Sequence, residues 1–77
     1  MANGMQQEKQ EKQIPAALRE AELMAVVLEG RHGNHAAEVA DFFSSLHRHQ
    51  GDTSRSRAWA GVARLVRRRE SDRLLDA

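Results

Sequence analysis

Apolar residues recur at helical spacing in three successive stretches of this chain, and strand-like alternation occurs nowhere. In the first stretch Ile14, Ala17, Leu18, Ala21, Met24, Ala25, Leu28 and His32 fall on one stripe. Leu23 and Val27 lie on the opposite side, with Val26 on one flank, so the middle of this helix is apolar nearly all round. In the second stretch Ala36, Val39, Ala40, Phe42, Phe43, Leu46 and His47 form the expected buried arc, with Glu38, Asp41, Ser45 and Arg48 towards water. In the third, Ala58, Trp59, Val62, Ala63, Leu65 and Val66 make the apolar face. Beyond Val66 that face carries Arg69, Glu70 and Arg73, which predicts that packing ends there.

Glycines punctuate the pattern. Gly33-Asn34 and Gly51-Asp52 each place a residue free to adopt the left-handed conformation directly before an N-capping type. Two-residue turns of this kind fold successive helices back on one another. Pro15 suits the first position of the opening helix. Before it, Met1–Gln13 offers four glutamines, balanced charge and little to bury, a composition that cannot offset the entropy of ordering. The expectation is an all-α, compact three-helix domain behind a disordered N-terminal tail. The tail covers 1–13 and the domain 14–73, with helices over about 15–32, 35–50 and 53–70 and a frayed end at 74–77. Trp59 is expected to pack on Phe42 or Phe43 and on Leu18, Met24 or Leu28.

Composition narrows the function classes. The chain has 77 residues and no cysteine, so neither disulfides nor thiolate–metal sites support its small core. The longest apolar run, Leu23 to Leu28, is far below the roughly 20 residues that span a bilayer. The N-terminus has neither a basic start nor an apolar core, so it does not read as a secretory signal, and a cytoplasmic protein with no membrane partner is expected. Net charge is only +1, but residues 51–77 carry seven basic and four acidic side chains against five and seven in residues 1–50.

The residues Glu22, Leu23, Ala25, Leu28, His32, Gly33 and Ala36, with Gly51, Asp52, Trp59, Val62 and Ala63, form a recognisable pattern. It resembles that of an uncharacterised family of short alphaproteobacterial proteins carrying a helical domain of unknown function. The likeness covers most of the expected folded region, and it implies the helical architecture and a bacterial origin. Met24 stands where that pattern commonly has a tryptophan, and the stretch after Asp52 is richer in serine and arginine. The resemblance implies no activity.

Candidate chemistry is sparse. His32 and His35 straddle a turn, while His47 and His49 point about 200° apart on a helix, and without a third ligand they predict no metal site. No phosphate-cradling glycine loop, nucleophile elbow or apolar carboxylate pair is present, so neither an enzyme nor a cofactor is expected. Arg57, Arg64 and Arg68 share one face of the third helix, with Arg67 beside them and Arg55 near its start. Such a strip suits phosphates or an acidic protein, although Arg68-Asp72 is also spaced as an ordinary i,i+4 pair. The geometry before it does not fit a helix-turn-helix. Gly61 falls mid-helix on the same face at a cost of roughly 1 kcal/mol, read as tolerated. The leading expectation is therefore a protein–protein interaction module, a regulator or adaptor, self-associating through Leu23, Val26 and Val27. The alternative is nucleic-acid binding through Arg55, Arg57, Arg64, Arg67 and Arg68.

Overall fold

A computed structural model describes residues 16–76, all of whose regular structure is helical. Helix α1 spans Ala16–His32, a single 3-10 turn covers Gly33–His35, α2 spans Ala36–His49 and α3 spans Thr53–Asp76. The helical backbone is thus continuous from Ala16 to His49, bent at Gly33, and is interrupted only before α3. Two helical runs, the first turning through the left-handed Gly33 and its 3-10 turn, replace the three separately looped helices expected from the pattern. The expected tail, Ile14 and Pro15 lie outside the described residues.

Both junction glycines adopt the left-handed backbone, Gly33 at φ 53° and Gly51 at φ 81°. Their consequences differ. At Gly51 the N–H donates to the Arg48 carbonyl (3.0 Å) and the Asp52 N–H to the His47 carbonyl (2.8 Å), the paired bonds of a Schellman ending. Asp52 Oδ1 then accepts the Arg55 N–H at 3.1 Å, capping α3 as expected. At Gly33 no such break occurs. The Ala36 N–H donates to the Gly33 carbonyl, and His35, without a side-chain cap, precedes α2. Asn34 therefore does not cap a helix: the 3-10 turn already engages the backbone donor that begins the next segment.

The core is built mostly from alanine. Ala25, Leu28, Ala36, Ala37, Ala40, Val62, Ala63 and Val66 are buried, and Val66 is the largest side chain fully enclosed. Small faces let helix axes approach closely. Between α2 and α3 the approach is close enough for Ser44 Oγ to donate to the Ser56 carbonyl at 2.8 Å, with the two hydroxyls 3.2 Å apart. This rotates the buried face of α2 toward Ala37 and Ser44, away from the arc the pattern suggested. Phe42 consequently points outward, 62% exposed, and Leu46 is exposed as well. Phe43 alone of the two phenylalanines meets Trp59, with ring centroids 4.8 Å apart. Ala17, Leu18 and Ala58, also expected in the core, are exposed, as is His32 at the bend.

Packing continues past Val66. Arg69 Nε donates to both oxygens of Glu29 (3.0 and 3.1 Å), and Arg73 reaches Glu29 Oε2 at 3.2 Å. One carboxylate of α1 thus holds two successive turns of α3, which remains helical to Asp76, beyond the expected limit near 70. Charge pairing, absent from an apolar-stripe reading, secures this end.

Candidate protein interface

Helices α1 and α3 run in the same sense, joined at their C-terminal ends by Glu29 and open at their N-terminal ends. The opening is a groove of about 810 Å³. Its floor is apolar: Leu18 and Met24 of α1 face Trp59, Val62 and Leu65 of α3. Met24, Trp59 and Leu65 are half-buried against the core, so the floor is continuous with it. This explains why Ala17, Leu18 and Ala58 escape burial: they line an open groove and not a closed helix contact. Arg57, Arg64 and Arg68 line the α3 wall, and Glu20 is the one acidic residue of the lining among the described residues.

The five arginines singled out from the sequence separate into two groups. Arg67 pairs with Asp41 of α2, and this hydrogen bond and the carboxylate charge raise its pKa above the ordinary arginine value. Arg55 lies 3.5 Å from the Asp52 carboxylate beside the cap it follows. Among the described residues no carboxylate oxygen lies within 4.0 Å of Arg57, Arg64 or Arg68, and all three side chains border the groove. The expected Arg68–Asp72 pair does not form.

Gly61 lies on the same wall between these arginines. A Cβ placed there would meet only the Arg64 guanidinium, at 3.9 Å, so no neighbour in the described chain requires a glycine.

A second surface occupies the other side of α1. Leu23 is 63% exposed and Val26 49%, whereas Val27 is half-buried. The histidines do not converge. His35 Nδ1 lies 3.5 Å from Glu38, His49 Nδ1 lies 2.8 Å from the Ser45 carbonyl, and the enclosed Nδ1 of His47 has no partner among the described residues. Among the described residues no group of three or more His, Asp or Glu side chains is placed to hold a metal, and no helix is long and apolar enough to cross a membrane.

No family model, curated protein or solved structure matches the chain. The site must therefore be read from its own geometry. Sequence patterning singled out Leu23, Val26 and the arginine face, but not the groove. Ala17, Leu18, Met24 and Trp59 looked like core residues because helical periodicity shows that positions share a face and leaves open how closely two faces meet.

Proposed function

We propose that this chain is a small protein–protein interaction module, a regulator or adaptor that associates with itself through α1. The observation that carries the reading is the exposure of two aliphatic side chains, Leu23 and Val26, on the solvent side of a helix whose other side already packs on the core. Burying such side chains contributes about 1.5–3 kcal/mol each when enclosure is complete, so covering them in a dimer is favourable. On this reading the chain acts in the cytoplasm, catalyses no reaction and needs no cofactor. The resemblance to a helical family of unknown function adds no activity to it.

Light scattering tests the proposal. The wild-type protein is expected to show a concentration-dependent mass above that of one chain. A Leu23→Glu, Val26→Glu variant is expected to keep its helical circular dichroism and fall to the monomer mass. A wild-type mass of one chain at every concentration overturns self-association.

The three arginines without carboxylate partners among the described residues support nucleic-acid binding as a second reading. It is weaker because Arg55 and Arg67 are engaged within the chain, leaving a shorter basic strip. Salt distinguishes the two: phosphate binding weakens steeply as ions are added, whereas apolar association does not.

A further inference from the structure

We propose that the α1–α3 groove is a docking site for an acidic amphipathic helix of another protein, distinct from the outward face of α1. The floor and the rim carry the argument together. The floor presents Leu18, Met24, Trp59, Val62 and Leu65 between two helices that run in the same sense, which is the shape a third helix fills with apolar side chains at i, i+3, i+4 and i+7. Along one rim, Arg57, Arg64 and Arg68 span about 16 Å at 1.5 Å per residue. No carboxylate of the described chain is paired with them. A row of glutamates or aspartates on one flank of the incoming helix matches this spacing, and arginine's planar fork suits carboxylates.

Gly61 fits the same occupant. Mid-helix glycine is unfavourable, and here nothing in the described chain compensates by packing against it. Its position between Arg57 and Arg64 leaves the wall without a side chain where an incoming backbone would pass. A second copy of this chain fits less well. Its outward α1 face carries Arg19 as well as Glu22 beside Leu23 and Val26, so it presents mixed charge and no row of carboxylates. A nucleic acid would use the arginines and leave the apolar floor uncovered.

The chain contains a single tryptophan, Trp59, and that residue lines the groove, so its fluorescence reports occupancy. The probe is a synthetic amphipathic peptide with leucines at i, i+3, i+4 and i+7, glutamates along one flank, and no tryptophan or tyrosine. It is titrated into the full chain beside a peptide with lysine for each glutamate, and beside a single-stranded oligodeoxynucleotide. The acidic peptide is expected to change Trp59 emission saturably. The lysine peptide and an Arg64→Glu, Arg68→Glu protein should each bind at least about tenfold more weakly, because opposed charges become like charges.

Gly61→Leu separates docking from folding. Its Cβ has room within the described chain, so the thermal midpoint should be kept or raised while peptide affinity falls at least about tenfold, the loss expected for a filled groove. Gly30→Leu is the control. It makes the same change on the outward face of α1, one turn beyond Val26, where an added Cβ meets no neighbouring side chain within 4 Å and lies outside the groove lining, and it should bind the peptide as wild type. The proposal is overturned if the acidic peptide leaves the emission unchanged, if the lysine peptide binds equally well, if Gly61→Leu keeps full affinity, or if the oligonucleotide displaces the peptide. None of these outcomes depends on whether the chain self-associates through Leu23 and Val26.

Discussion

Helix α3 meets α2 and α1 in two different ways. Against α2 it presents small residues along a closed face, with alanines opposed and two serines hydrogen-bonded across the contact. Against α1 it is fastened by a carboxylate at one end and parts into a groove at the other. The first contact is closed and packs Phe43 of α2 against Trp59. The second leaves that tryptophan at the edge of open space. A helix of this length can therefore act as scaffold on one side and as a binding wall on the other, and the arginines that pair with no carboxylate among the described residues lie on the binding wall.

Substitutions at the two contacts should differ in size. The largest effect belongs to the closed core, where Val66 has no exposed surface. Val66→Asp would bury an unpaired charge at a cost of about 4 kcal/mol or more, enough to unfold a domain this small, and far-ultraviolet circular dichroism should show the loss of helix. Next comes Trp59→Ala, which removes the ring packed at a tilt against Phe43. Because Trp59 is only half-buried, about 2–3 kcal/mol is expected in urea denaturation, below the range for a fully enclosed ring.

At the α1 contact the effects are smaller. Glu29 is 14% exposed, but Arg69 and Arg73 are much more open to solvent, which screens the pairing. Glu29→Gln should cost about 1 kcal/mol at low salt and less at high salt, a difference that paired thermal melts would register. A salt-independent loss would mean that the carboxylate acts by packing. The smallest change has the opposite sign. Gly61→Ala should stabilise the protein by about 0.5–1 kcal/mol, because alanine is the better helix former and the Cβ has room. Destabilisation there would show that the groove wall is tighter than its geometry indicates.

Local rules reached some features and missed others, and the two glycine junctions show where the limit lies. Positive φ was legible at both Gly33 and Gly51, since each ends an apolar-periodic stretch before a small polar residue. Whether the chain then breaks or bends was not. Gly51 closes α2 and releases the chain to Asp52, while Gly33 leads into a 3-10 turn that runs directly into α2. The exposure of Leu23 and Val26 was legible too, because they stand apart from the stripe that carries Ala25 and Leu28, but Val27, expected beside them, is half-buried. The groove was not, because its walls have the periodicity of core.

Helical character, the left-handed glycines and the cap of α3 depend on residues within about one turn of each other, so the amino-acid sequence alone determines them. Tertiary structure decided how far each helix is rotated about its own axis. That rotation buries Ala37 and turns Phe42 outward, because the best approach of α2 to α3 is set by small side chains on both. It also decided which charges are satisfied. Asp41 meets Arg67 across 26 residues of chain and Glu29 meets Arg69 across 40, distances over which no local pattern can assign a partner. Arg57, Arg64 and Arg68 remain without carboxylate partners among the described residues for the same reason: they face the side of α3 where α1 diverges.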